Sequence, residues 1–262
     1  MLSEQIKEAI EKLKKNGRLV TNVYTADIIN QSSVFLSNAD AILVSYNDYG
    51  VNRLYYYAHK LDNIEGLIAS LPEDEYVLEF MTKNAEDSSE VLQQLGFQCL
   101  AQMMRMSVRD VAISVKNNNF ASQYFDEAVG TFPDEGLAQD INQVLWKVFD
   151  TRVSHLQDDD ELKRSIEKRE VLIHQNEEGS VDAVLQTIIQ PQRFYINQVY
   201  NGADKNVIHS MMHQRLKEYI AAGGKYAYAW VDKNNIASVK FHQKYGLQHD
   251  GMWNMVYVLK RE

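Results

Sequence analysis

A chain of 262 residues carries 27 Lys and Arg against 36 Asp and Glu, a formal charge of −9, with 45% hydrophobic residues. That length suffices for one large domain or two ordinary ones, and the composition is that of a globular chain, not a disordered one. The acidic balance argues against a nucleic-acid partner, whose phosphates need a basic face, and no apolar run approaches the roughly 20 residues that cross a bilayer.

The first segment, "MLSEQIKEAIEKLKKNG", reads as an amphipathic helix with Leu2, Ile6, Ile10 and Leu13 on one side. It lacks a signal-peptide core, so export is not expected and the cytoplasm is the expected compartment. Strand-like runs follow at 41–48 and 52–59, joined by a Tyr49-Gly50 turn that suggests a hairpin. Tyr55, Tyr56 and Tyr57 are expected to fill both faces of the second run. A short helix over 61–71 is closed by Pro72. Next come a strand (75–82), a helix (85–96) and a strand (98–108). The one cysteine, Cys99, falls in this last run; it excludes an intramolecular disulfide and is expected to be a small buried residue.

A polar stretch around 115–136 separates the halves. Helices are predicted at 137–156 and 159–170, strands at 171–176, 181–190 and 193–200, and a longer helix at 207–222 before Gly223-Gly224. The tail reads strand (225–232), helix ("NNIASVKFHQKYG") and strand (251–260). Shifting the chain against itself by 150 residues pairs Tyr76 with Tyr226, Lys83 with Lys233, Asn84 with Asn234, Ser88 with Ser238, Gln93 with Gln243, Gly96 with Gly246, Gln98 with Gln248 and Val108 with Val258. The matches fall at turns and caps as well as in strands, which points to two copies of one fold.

"NIASVKFHQKYGL" (235–247) resembles the segment near the C-terminus of the GNAT superfamily of N-acetyltransferases. There the pattern runs Asn, two residues, a small residue, two residues, an apolar residue, Tyr, two residues, an apolar residue, Gly, then an aromatic or aliphatic residue. Asn235, Ser238, Phe241, Gly246 and Leu247 fit, and His242 stands at the Tyr position. The order of strands and helices over 137–262 is also the family's. The resemblance implies an α/β fold of two GNAT-like lobes, each a mixed, mostly antiparallel sheet flanked by helices. A degenerate N-terminal lobe would cover 1–114 and an acetyltransferase lobe 115–262, with the linker at about 115–136.

By the same resemblance, "YNGADKNVIHSMM" would present backbone N–H groups to the pyrophosphate of acetyl-CoA, the co-substrate, as a helix N-terminus can. Val199, Tyr200, Asp204, Lys205, Asn206 and Val207 would form this part of the site, with the N–H near Val199 polarising the thioester carbonyl and Asn235 and Ser238 on the facing helix. The family's Arg/Gln-x-x-Gly-x-Gly/Ala pattern falls on Ala203, Asn206 and Ile208. Asp204 would oppose a diphosphate, with Lys205 and His209 offsetting it. Direct attack of an amine on the thioester needs an acid near the departing sulfur, for which His242 and Tyr245 are the candidates, since an imidazolium titrates near neutrality. A water held by Tyr195 or Asn197 would take the amine proton, and Trp230 would line the acceptor side.

Asp158, Asp159 and Asp160 either favour a helix start or attract a cationic amine. His155, His174 and His213 lack metal-ligand spacing, and no metal is expected. Trp146, Trp230 and Trp253 read as core or cleft wall. The expected activity is acyl transfer from CoA to a small-molecule or peptide amine, with those two as partners, neither nucleic acid nor membrane, and a homodimer as a candidate assembly. The alternative is a non-catalytic binding or scaffold protein that has kept the fold.

Overall fold

The computed structural model describes residues 2–25, 27–117 and 129–261. Most of the expected linker, 118–128, lies outside the described residues. In chain order the elements are α1 (Leu2–Lys15), β1 (Val20–Thr21), α2 (Asp27–Gln31), β2 (Val34–Ser37), β3 (Ala41–Asp48), β4 (Val51–Ala58), α3 (Glu65–Ile68), β5 (Glu75–Thr82), α4 (Ala85–Gln94), β6 (Gln98–Val108) and α5 (Val111–Asn117). They continue with α6 (Ala138–Val148), α7 (Asp159–Glu167), β7 (Val171–Gln175), β8 (Val181–Gln190), β9 (Arg193–Asn201), α8 (Lys205–Ala221), β10 (Ala227–Asp232), α9 (Ile236–Gln243) and β11 (Gln248–Lys260). Among the described residues no helix is long and apolar enough to cross a membrane.

Contacts divide the chain into two compact units, Met1–Met103 with Met252–Glu262, and Met104–Gly251. In the first, the strands run β2-β3-β4-β5-β11, with β1 on β4. β4 and β5 are parallel and the other recorded pairs antiparallel, including β11 on β5 from Trp253↔Thr82 to Lys260↔Glu75. Ile6, Ile10 and Leu13 of α1, with Ile28 and Ile29 of α2, cover one face over Ile42, Val44 and Tyr55. Ile64, Leu67, Ile68 and Leu92 cover the other over Leu43, Tyr56, Leu78 and Tyr257. Tyr55 and Tyr56 thus serve opposite faces, as strand alternation requires. Tyr49 and Gly50 both have positive φ (49° and 88°), the two-residue turn whose twist suits a hairpin.

The second unit repeats this plan. Its strand order is β6-β10-β9-β8-β7, mixed because β9 and β10 are parallel while β8 pairs antiparallel with both β7 and β9. α6 and α7 cover one face through Ile141, Leu145, Leu162 and Ile166. α8 covers the other with Met211, Met212, Leu216 and Tyr219. Apart from β1, which has no counterpart, the helices and strands of α1–β6 correspond in order to those of α6–β11, but α3 is four residues long where α8 has 17.

The units do not divide at residue 114. Residues 252–260 of β11 belong to the first unit, on β5, and residues 104–108 of β6 belong to the second, beside β10. Each repeat therefore gives up most or part of its last strand, which a single cut in the chain cannot represent. Cys99, expected in the core, is exposed, because Phe97 and Ala101 take the inward places around it.

Candidate functional site

Two parallel strands of equal twist should stay paired for their full length unless something intervenes. β9 and β10 pair at Phe194↔Ala227, Tyr195↔Tyr228 and Ile196↔Ala229, and there the register ends, although β9 runs on to Asn201 and β10 to Asp232. The cause lies in the antiparallel neighbour. Gln186 faces Gln198 but Thr187 faces Ile196, so Asn197 is an extra residue, a β-bulge. The bulge also changes which side chains face α8: Phe194 and Ile196 before it, Val199 after it, all against one core. It turns β9 away from β10 and leaves a wedge between the strands at their carboxyl ends, the position where open α/β sheets receive ligands.

Asn197 is fixed by a chain of amides. Its Nδ2 donates to Gln186 Oε1 (3.1 Å), Gln186 Nε2 donates to Gln157 Oε1 (2.7 Å), and Gln157 Nε2 donates to Ser165 Oγ (3.0 Å). The network joins the bulge to the α6–α7 loop. Tyr195 stacks on Tyr228 at 4.8 Å between ring centres, and the Arg105 guanidinium lies 6.0 Å from the Trp230 ring.

The loop after β9 is tightly tied to its own chain. Gly202 N–H donates to Asp182 O (2.7 Å), and a Cβ at Gly202 would meet Tyr200 Oη at 2.5 Å, so a close backbone approach requires glycine here. Asp204 is the N-cap of α8: its Oδ1 accepts from Asn206 N–H (2.8 Å), and its carbonyl accepts from Val207 N–H (3.0 Å). These are the donors expected to grip a pyrophosphate. They are satisfied by Asp204, and a carboxylate stands where the phosphate charge would come. Lys205 is exposed beside it.

Across from α8, Asn235 caps α9 by accepting from Ser238 N–H at 3.0 Å. Gly246 ends the turn with φ of 81°, and a Cβ there would sit 2.6 Å from Ser114. His242 is only 3% exposed. Its Nδ1–H donates to Ser238 O at 2.8 Å, leaving Nε2 unprotonated and, buried, without a hydrogen-bond partner. Burial lowers its pKa to about 4 despite the Ser238 bond. The expectation of an imidazolium near neutrality is therefore corrected: at pH 7 His242 is neutral and its one proton is bound to a carbonyl.

Tyr245 is turned into α8. His209 Nδ1 and Tyr245 Oη are 2.8 Å apart, Lys244 Nζ is 3.4 Å from His209 Nε2, and Tyr245 O–H donates to His209 O at 3.4 Å. The ammonium makes Nε2 the accepting nitrogen, so Nδ1 donates to the tyrosine. His213 packs edge-on against the same ring at 5.4 Å. Burial is the first cause that lowers His209 and His213 to about 4, with Lys244 a second cause for His209. Tyr245, a candidate acid, is thus paired with His209, a partner for which their separation of 36 residues gives no local signal in the sequence.

Trp146, expected in the core or a cleft wall, is 37% exposed on α6, held by Nε1–H donating to Gln157 O at 3.3 Å. Asp158 caps α7, its Oδ1 accepting from Glu161 N–H at 2.7 Å. Among the described residues no group of three His, Cys, Asp or Glu is placed to hold a metal ion.

The first unit has the same opening, filled. β4 and β5 pair only from Asn52↔Tyr76 to Leu54↔Leu78, though both strands continue. Asn22 occupies the gap. Its Nδ2 donates to Leu54 O (3.0 Å) and Glu79 O (2.8 Å), and its Oδ1 accepts from Tyr56 N–H (2.8 Å). β1 lies along β4 just beyond, at Val20↔Ala58 and Thr21↔Tyr57.

No protein-family model matches the sequence, and no curated protein matches it. Solved structures match in fold. A conserved protein from Enterococcus faecalis V583 described as a probable N-acyltransferase superposes with a TM-score of 0.57 at 10% identity, over 100% of this chain and 72% of that one. A GCN5-related N-acetyltransferase from Sphaerobacter thermophilus gives 0.55 at 10% identity, over 98% and 92%. A tandem GNAT protein from the clavulanic acid biosynthesis pathway gives 0.54 at 7% identity, over 99% and 94%. The likeness is one of fold: the chain has the α/β architecture of the GNAT N-acetyltransferases, including a tandem one.

Proposed function

We propose that the second unit holds an acyl thioester, with acetyl-CoA as co-substrate, in the wedge between β9 and β10 and transfers the acyl group to an amine. The observation that carries this reading is the bulge at Asn197 coinciding with the end of the β9–β10 ladder. Strand edges released there offer N–H and C=O groups to an extended, amide-containing ligand arm. Asn22 in the first unit supports the chemistry, since one carboxamide meets three backbone groups of an equivalent gap.

The amine would approach from the Tyr195, Asn197 and Trp230 side, with a water on Asn197 accepting its proton. Val199 N–H is the proposed donor to the thioester carbonyl. Tyr200, Val207, Asn235 and Ser238 would border the ligand. The His242 Nδ1 proton is engaged by Ser238 O and the Tyr245 hydroxyl proton by His209 O, and the reading requires neither: a thiol of pKa about 8.5 leaves tolerably as thiolate and is protonated by solvent.

Asp204 favours a second reading, a GNAT-fold chain that no longer binds CoA, because its carboxylate already occupies the helix N-terminus. One substitution separates the two. Asp204→Asn keeps a competent cap and removes the charge facing the diphosphate, a gain of about 1–2 kcal/mol or roughly tenfold in affinity. Calorimetric titration with acetyl-CoA should show weak binding by the natural chain and about tenfold tighter binding by the variant. No binding by either would leave the scaffold reading standing.

A further inference from the structure

Strand alternation decides what the second unit shows on the side of its sheet away from α8. Phe194 and Ile196 of β9 and Ala227, Ala229 and Val231 of β10 belong to the core under α8, so Arg193, Tyr195, Tyr226, Tyr228 and Trp230 point the other way. α6 and α7 pack on that side over Val171, Ile173 and Val184 of β7 and β8, while the four aromatic side chains stay half-buried and Arg193 exposed. The Tyr195 and Tyr228 rings lie 4.8 Å apart and 15° from parallel, those of Tyr228 and Tyr226 5.7 Å apart and 24° from parallel. Rings stacked in this way spend their faces on one another and turn edges and hydroxyls outward. Burial holds the Tyr228 phenol above its ordinary value, so it is an O–H donor at neutral pH, and Arg193 is the largest electrostatic influence on it.

Two guanidinium groups border this row. That of Arg105, beside Trp230, is already taken: its Nε donates to Asp250 Oδ2 at 2.8 Å, an oxygen that also accepts from Ser107 Oγ at 3.0 Å. Arg193, across the ladder from Tyr226, has neither a carboxylate nor a hydrogen-bond partner among the described residues, and the Tyr228 hydroxyl has no partner there either. In a chain of formal charge −9, this leaves a cation and a neighbouring O–H donor together with no acid of their own. We propose that Arg193 and the Tyr228 hydroxyl form an anion-recognition site, and that its ligand is a carboxylate carried on a small aromatic ring. A carboxylate accepts from guanidinium N–H and phenol O–H at once, and the ring lies over the outward tyrosine edges in edge-to-face contact. The site does not depend on the acyl-transfer reading. Where that reading holds, it selects substrates with an acid at the end remote from Asn197, about 13 Å along β9 by the rise of four strand residues.

The test uses the full chain without any acyl donor, so that its result does not depend on CoA binding. 3-Phenylpropionate is titrated calorimetrically beside 3-phenylpropanamide, its neutral isostere. A ligand of this size and ordinary efficiency should saturate at roughly millimolar concentration, with the carboxylate about five- to tenfold tighter than the amide. Arg193→Gln should bring that ratio to about one, and Tyr228→Phe should lower it about two- to threefold. Lys217→Gln, which removes the same charge from an exposed position on α8, should leave it unchanged. Absence of saturable carboxylate binding, a ratio near one in the natural chain, a ratio unmoved by Arg193→Gln or Tyr228→Phe, or one lowered as much by Lys217→Gln, overturns the proposal. Arg193 and Lys217 are both exposed, so the deciding comparison does not rest on a core substitution.

Discussion

Lowering the pH from 6.5 to 5 is expected to destabilise the second unit by several kcal/mol. His209, His213 and His242 are all at least 96% buried, and two of them surround Tyr245 in the core beneath α8 and α9. Each has a folded pKa of about 4, against an ordinary value of 6.5, burial being the largest cause in every case. The sign follows from proton counts. Between 4 and 6.5 the unfolded chain binds protons at these positions and the folded chain does not, so acid draws the equilibrium toward unfolding. The contribution is fully present above pH 6.5 and is lost as pH falls through that window. Each histidine can add up to about 1.4 kcal/mol per pH unit, and most carboxylates do not yet titrate above pH 5. Urea midpoints at pH 7, 6 and 5 measure the slope, and His213→Leu should reduce it by about one proton. A midpoint that stays level from 7 to 5 would show that the cluster opens to water before it charges.

The elements were more legible than the site. Strands 75–82, 98–108 and 181–190 lie where alternation and turn residues put them, and the 150-residue repeat matches in the order of elements apart from β1. The segment 18–40 was not resolved into β1, α2 and β2, because two to five residues carry too short a pattern for periodicity. α6 stops at Val148, not 156: Phe149 turns extended, and Asp150 binds the Arg152 guanidinium and N–H instead of continuing the helix. At the site, Asn235 and Gly246 of the motif are the cap and the exit of α9, roles that depend on local sequence alone. The charge state of His242 was not legible, because it depends on burial by residues distant in sequence. The bulge at Asn197 was equally hidden, as it exists only in register with β8.

Asn22→Ala is expected to cost about 2–4 kcal/mol, more than an ordinary half-buried polar substitution. The side chain makes three hydrogen bonds to backbone groups that the parted β4 and β5 cannot supply to each other. Removing it leaves Leu54 O, Glu79 O and Tyr56 N–H without the one side chain that met all three. The carboxyl group of Glu79 adds to the cost of disturbance, for it pairs with the buried Arg53 at 2.5 Å and accepts from Asn254 Nδ2 at 3.0 Å. Asn22→Asp should be at least as damaging, since a carboxylate keeps the acceptor for Tyr56 N–H but repels both carbonyls. Thr21→Val, which removes the bond from Thr21 Oγ1 to Tyr56 O at 2.6 Å and the one it accepts from the exposed Val23 N–H at 3.0 Å, should cost about 1 kcal/mol. Chemical denaturation of the three variants orders them directly, and a loss below about 0.5 kcal/mol for Asn22→Ala would mean that the opening closes by itself. The corollary is functional. A gap that its own chain satisfies has no use for a ligand, and the first unit's short α3 presents no long helix toward one, so any thioester bound by this protein should occupy the second unit alone, one per chain.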